Sequence, residues 1–339
     1  MKFTVYISFL RFLLPFFISQ NAIGQVKITD FGAIGDGTTL NSAAIQRAID
    51  ACAGKKNRRV IVPKGTFLTG SIILKSGVTL EITEGGILLG SAKRDDYLKN
   101  DWYALILAKG QKHIRIVGKG TIDGQGTALA NDVERMRRAG LIKNVKPYNR
   151  PDENHRPQII EMTDCQYVRV EGITIKNAAC WVQTYHNCAD LTFRHLRVES
   201  LAYWNNDGID LVDCRHVRLT DCFFNTADDG ICLKSQDVNR LCEDIYVARC
   251  TVRSSASAFK LGTASYGGFR DIRVKNLHVL ILIGLQLRSK MLTVDFREHQ
   301  HQKGGRKKYG QRAFYSLGST PFDSTGGAST PHLYKKSDS

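Results

Sequence analysis

Six short segments of this chain align on one another: "KHIRIVGKGTID", "QYVRVEGITIKN", "ADLTFRHLRVES", "RHVRLTDCFFNT", "EDIYVARCTVRS" and "RDIRVKNLHVLI". Their key apolar residues are Ile114, Val168, Leu191, Val217, Ile245 and Ile272. After the first, the steps are 23, 26, 28 and 27 residues. Each segment alternates apolar and polar residues, the pattern of a half-buried strand. A period in the twenties with several short strands in each period means a solenoid, in which one repeat is one coil. Leucine-rich repeats share the period but need spaced leucines and an Asn ladder, which are lacking. The expected fold is all-β, a right-handed parallel β-helix, with coils stacked at the strand spacing of about 4.8 Å.

The cysteines keep the same register. Cys165, Cys188, Cys214 and Cys242 each precede their key apolar residue by three positions, and Cys222 and Cys250 each follow it by five. They read as buried small hydrophobes stacked in ladders, and no CxxC spacing suggests a metal. Export would permit a bridge between neighbouring coils, Cys165–Cys188 or Cys214–Cys242. Ahead of the repeats, "DFGAIGDGTTLNSAAIQRAIDACA" reads as a Gly-rich turn entering a helix. Ala43, Ala44, Ile45, Ala48 and Ile49 form its apolar face, Asn41 or Ser42 its cap, and the helix plugs the open end of the solenoid. "GDG" lacks the Lys-Ser/Thr ending of a phosphate loop.

"NDGIDL" at 206–211 returns as "DDGICL" at 228–233, 22 residues later, which is one coil. Asp229 is therefore expected over Asp207 and Asp228 over Asn206. With Ile209 and Ile231 pointing inward, the aspartates face out, where they are expected to be exposed. Stacked ionised carboxylates repel, so a structural sheet would carry Asn, Thr or Ser there. Two chemistries remain open for Asp207, Asp228 and Asp229: binding calcium through oxygen ligands, or acid–base work on a glycosidic bond. Close like charges raise the pKa of one member, which supplies a protonated acid. Asp210 faces Cys232 on the next coil and reads as a supporting group.

These stretches resemble the polygalacturonase family, glycoside hydrolase family 28. The resemblance runs from about Thr29 to Leu277 and rests on "FGAIGDGTTLNSAAIQRAID", "VPKGTFLTGSIILKSGVTLEI", "GTIDGQG", "NAACWVQTYHNC", "NNDGID" and "ADDGICLKS" together. It implies a right-handed parallel β-helix of the pectin-lyase-like kind that hydrolyses pectic galacturonan with inversion. The family's Asn-Thr-Asp motif falls on Asn205, Asn206 and Asp207, and its Asp-Asp motif on Asp228 and Asp229. Asp228 is then the general acid, Asp207 and Asp229 hold the attacking water, and Asn205 touches substrate. The chain departs from the family at "SSASAFKLGT", where Ser257 stands in the slot of a Gly-His-Gly histidine. Lys260 nearby could supply positive charge to the substrate instead. The Arg-Ile-Lys motif that grips the substrate carboxylate is missing, so a branched or rhamnose-containing galacturonan stands beside plain galacturonan. The competing readings are a non-catalytic carbohydrate-binding remnant and a calcium-dependent pectate lyase.

The net charge of +16 fits nucleic acid or an acidic polysaccharide. The resemblance selects an acidic pectic polysaccharide, with no nucleic acid, membrane, cofactor or resident metal expected, and a monomer. The stretch 127–157 reads as a long basic loop. Through Arg135, Arg137, Arg138, Lys143, Lys146, Arg150 and Arg156 it could wall a cleft and contact an acidic sugar chain, or be a solvated excursion. The N-terminus reads as a signal peptide over 1–24: "FLRFLLPFFI" is apolar, "NAIG" is small, and the uninterrupted run Phe12–Ile18 is shorter than a membrane span. Secretion or periplasmic export follows. The β-helix is expected over 25–280 and an aberrant basic tail over 281–339. After Leu277 the repeat fails. Back-translating Ile283–Phe296 in a shifted frame restores apolar alternation and a Gly turn, so the chain reads as frameshifted or truncated near 280.

Overall fold

The computed structural model describes residues 24–54, 58–283 and 286–296, with short segments at 299–301, 308–310 and 314–316. The expected leader lies outside the described residues except for Gly24, and so does most of the stretch after 296. No helix of the described residues is long and apolar enough to cross a membrane.

The chain winds into a parallel β-helix. One face is a seven-stranded parallel sheet that runs, coil by coil, from Ile72–Ile73 through Ala104–Lys109, Gln158–Thr163, Gln183–His186, Ile209–Val212 and Ile231–Ser235 to Phe259–Ser265. The remaining parallel ladders belong to one larger sheet that wraps the other side. The aligned segments stack as their spacing predicts: Val168 pairs with Leu191, Leu191 with Val217, Val217 with Ile245 and Ile245 with Ile272. Two residues further on, Val60, Leu80, Ile116, Val170, Phe193, Leu219, Val247 and Val274 form one apolar column through successive coils. All eight are buried. Each such side chain contributes about 1.5–3 kcal/mol by leaving water, so the stack is held by a continuous core.

The corners repeat as regularly as the strands. Tyr167, Asp190, His216, Asp244 and Asp271 hold one slot of successive coils, all at φ between 49° and 57°. Asp and Asn tolerate this left-handed region better than most side chains, which explains why short polar residues fill three of the five positions. Helix Ser42–Cys52 packs Ala44, Ile45, Ala48, Ile49 and Cys52 onto the first coil. Ala43, assigned to that face from the pattern, is exposed. Asn41 precedes the helix without capping it: its side chain ties Ile34, Thr39 and Leu68 instead.

One expectation changes. The stretch read as a long loop begins as a helix, Gly126–Arg138, with Leu129, Ala130, Val133 and Met136 buried. All nine cysteines are free and buried, so neither Cys165–Cys188 nor Cys214–Cys242 is bridged. At the far end, strand Phe269–Ile283 pairs in parallel with the previous coil, then Gln286–Phe296 returns antiparallel to it, and the parallel winding stops.

Candidate functional site

The repeated phrase occupies the start of two neighbouring strands. Ile209 pairs with Ile231 and Asp210 with Cys232, which places Asp229 in register with Asp207. The Gly208 N–H donates to the Asp229 carbonyl at 2.8 Å, and the Gly230 N–H to the Ser257 carbonyl at 2.7 Å. The glycines are there for space. A Cβ on Gly208 would come within 2.5 Å of the Gly230 carbonyl oxygen, and one on Gly230 within 2.3 Å of Val252. The Asp-Gly pair thus lets consecutive coils close up where the aspartates gather.

Asp207, Asp229 and Cys232 bring their donor atoms within 4.8 Å of one another. The aspartates face outward as expected but are not exposed: Asp207 retains 5% accessibility and Asp229 2%. The surrounding lysines and neighbouring coil cover them. Lys260 Nζ donates to Asp229 Oδ2 at 2.7 Å, and the Ser257 N–H to Asp229 Oδ1 at 3.2 Å. Lys234 lies between the coils. It forms a close ion pair with fully buried Asp210, donates to the Cys232 sulfur at 3.2 Å, and stands 3.8 Å from Asp207 Oδ2. Its ammonium also lies 4.4 Å from the centre of the Trp181 ring. Asp228 is half-buried. Its Oδ1 accepts from the Asp229 N–H, and its carbonyl accepts from the Thr226 and Ser254 hydroxyls.

Asp207 has its nearest ammonium, Lys234, at 3.8 Å, and its Oδ1 is buried with no hydrogen-bond partner. Burial, then the Asp210 charge, push its pKa up to about 9 against the pull of Lys234. The site therefore favours the protonated form of Asp207. Burial also raises Asp210, with Lys234 opposing it. The donor set does not suit calcium, which takes six to eight oxygens. Here two carboxylates share the space with a thiol and two ammonium groups.

Asn205 and Asn206 have different duties. Asn206 is fully buried, and all its polar atoms are used: Oδ1 accepts from Ser200, Ala202 and Tyr203, while Nδ2 donates to the carbonyls of Ala178 and Cys180. Asn205 sits at φ 58°, and its Oδ1 accepts from Arg156. Arg156, fully buried, also donates to the carbonyls of Pro151, Ala179 and Trp204, and so props the turn that delivers Asp207. Of the residues read from sequence, the structure brings together Asp207, Asp228, Asp229, Lys260 and the Ser257 backbone. The sequence reading missed Lys234 and Trp181. Lys234 stood in "ICLKS", two residues after Cys232 on the same strand face, and that alternation was its only signal.

The family model "Glycosyl hydrolases family 28" matches residues 52–279. An exo-poly-alpha-D-galacturonosidase of Dickeya chrysanthemi is 27% identical over 315 residues, covering 78% of this chain and 52% of the relative. The structure of a family 28 exopolygalacturonase of Yersinia enterocolitica matches with a TM-score of 0.68 at 26% identity, covering 75% of this chain and 53% of that one. A hyperthermoactive exopolygalacturonase of Thermotoga maritima matches with a TM-score of 0.62 at 27% identity, covering 75% and 66%. The chain spans about half the length of the curated relatives it matches.

Proposed function

The chain belongs to glycosyl hydrolases family 28, and from that premise we propose that Asp207, Asp228 and Asp229 hydrolyse glycosidic bonds of a pectic galacturonan with inversion, outside the cell that makes the protein. The observation that carries this reading is the pairing of Asp207 with Asp229. Inversion needs an acid and a base about 6.5–9.5 Å apart. Two carboxylates with oxygens within 4.8 Å are too close to be that pair and suit joint custody of one water. Asp229, ion-paired with Lys260, takes the proton from the water. Protonated Asp207 donates a hydrogen bond that orients the water. Asp228, the least buried of the three, gives its proton to the departing glycosidic oxygen. The products are a new reducing end of inverted configuration and a free hydroxyl, and bulk water restores both protonation states.

The lyase alternative would leave an unsaturated, ultraviolet-absorbing product and would need calcium. A panel of pectic polymers, assayed for new reducing ends with and without chelator, separates the readings. The hydrolase predicts reducing ends on galacturonan, no ultraviolet-absorbing product and no loss to chelator. Binding without turnover is the outcome expected of a carbohydrate-binding remnant. That result would remove the enzymatic reading.

A further inference from the structure

The acid cluster has no free cation for the carboxylate of a uronic acid. Lys234 is engaged by Asp210 and Lys260 by Asp229, and the sequence lacks an Arg-Ile-Lys motif. A free cation does stand on the adjoining rim. The Arg150 guanidinium lies 4.7 Å from the Tyr148 ring centre and 4.8 Å from that of Trp204. Among the described residues it forms no ion pair, and its Nε is buried with no hydrogen-bond partner. The buried Nε faces no ligand, but the two terminal nitrogens form no hydrogen bond or ion pair among the described residues and are not among the buried atoms, so a guanidinium held against two rings keeps its end-on pair of donors for a planar anion, which it can bind through two parallel hydrogen bonds.

The loop that carries it is tied down. Asn144 donates to the Arg150 carbonyl at 2.6 Å and accepts from the Asp152 N–H at 3.0 Å. Asp152 Oδ2 accepts from the N–H groups of Val145 and Lys146, and Lys146 pairs with Glu153 at 2.8 Å. Six residues on, Arg156 fastens the same segment to Trp204 and Asn205. Trp204 is 61% exposed, although large aromatics on a water-facing turn are usually covered. It precedes Asp207 by three residues, so the two are separated by at most about 11 Å of chain. That is the scale of a neighbouring sugar.

We propose that Arg150 and Trp204 form a uronate subsite beside the acid cluster: Arg150 clamps the sugar carboxylate and the Trp204 indole supports the apolar face of the ring. The identification of the ligand as a uronic acid rests on the family 28 reading. The geometry of the subsite does not require that the chain turn over.

The test measures binding of oligogalacturonate to the full chain carrying Asp228→Asn, so that turnover plays no part. Arg150→Gln weakens binding of the acidic oligomer by about tenfold or more, the scale of a lost charge-assisted pair. Arg150→Lys falls between, because it keeps the charge without the fork. Methyl-esterified oligomer, which has no carboxylate, binds Arg150→Gln and the parent equally, while Trp204→Ala weakens both ligands. Unchanged affinity of Arg150→Gln for the acidic oligomer overturns the subsite. Equal loss for acidic and esterified oligomers also overturns it, since that pattern marks a collapsed loop. If the oligomer binds through Arg150 and the unsubstituted chain cleaves nothing, the subsite stands and the hydrolase reading falls.

Discussion

Asp229 lies one coil beyond Asp207 in the same strand position, tied to it by the Gly208 N–H bond to the Asp229 carbonyl at 2.8 Å. The two carboxyls nevertheless live in different environments. Asp229 has Lys260 at 2.7 Å, whereas Asp207 has its nearest ammonium at 3.8 Å and one oxygen with no partner. A backbone repeat thus produces a chemically unequal pair, one carboxyl ion-paired and the other pushed by burial toward its protonated form.

Asp→Asn at 207, 228 or 229 is expected to lower turnover by about two orders of magnitude or more, the scale of positioned acid–base catalysis. The fold should persist, because an amide fills each slot without adding volume. Initial rates on galacturonan and the far-ultraviolet circular dichroism of each variant test this together. Near-normal turnover of Asp228→Asn would show that the acid is misassigned, and near-normal turnover of all three would remove the site.

The proton on Asp207 has a consequence for stability. Its ordinary value is 3.8 and its folded value about 9, so between these limits the folded chain binds a proton that the unfolded chain does not. The stabilisation is therefore fully present below about pH 4 and is lost as pH rises through 9. Asp207→Asn cannot titrate. Between pH 5 and 8.5 its melting temperature should fall less steeply than that of the parent. Parallel curves for the two proteins would mean that Asp207 is ionised throughout.

Much of this was legible because a β-helix copies its sequence repeat directly into space. Coil spacing, strand register and the stacking of Asp229 on Asp207 all follow from counting residues. Burial of the aspartates was not legible. Alternation gives the direction of a side chain, but not what covers it, and here Lys234 and Lys260 from the next strands close over the carboxyls. The helix at Gly126–Arg138 was missed because its apolar face, Leu129, Ala130, Val133 and Met136, is sparse among six charged residues nearby in 132–143. Arg156 could not be identified as a strut, since its four partners are spread from Pro151 to Asn205.

The cysteine ladder should behave as packing. All nine thiols are buried, and burial pushes Cys180 up to about 11 and both Cys214 and Cys232 up to about 12. Cys165 and Cys250 are lowered instead, by their hydrogen bonds with Cys188 and Cys222, but both are buried, so a reagent reaches none of the nine in the fold. The folded protein should resist alkylation while the unfolded chain takes up nine equivalents, and a reductant should leave the melting temperature unchanged. A drop in melting temperature on reduction would reveal a bridge, with Cys165–Cys188 the first pair to examine by mass.

The ion pair of Lys234 with Asp210 should show a marked asymmetry between its two members. Asp210 is fully buried and its Oδ2 has no other partner. Lys234→Met leaves it as an uncompensated buried acid, a change that costs about 3–5 kcal/mol. Asp210→Asn is milder, because Lys234 keeps Asp207 at 3.8 Å and the Cys232 sulfur at 3.2 Å. Asp207 can then release its proton and become the new counter-ion. The double variant Asp210→Asn/Lys234→Met should be more stable than Lys234→Met alone, since no buried charge remains without a partner. Asp210→Asn should also lower turnover less than Asp229→Asn, and should shift the pH–rate profile through the change at Asp207. Urea unfolding of the three variants at pH 7 decides the point. Equal losses from Lys234→Met and Asp210→Asn would show that Asp207 cannot take over, and a double variant weaker than either single would show that the pair is held by shape rather than charge.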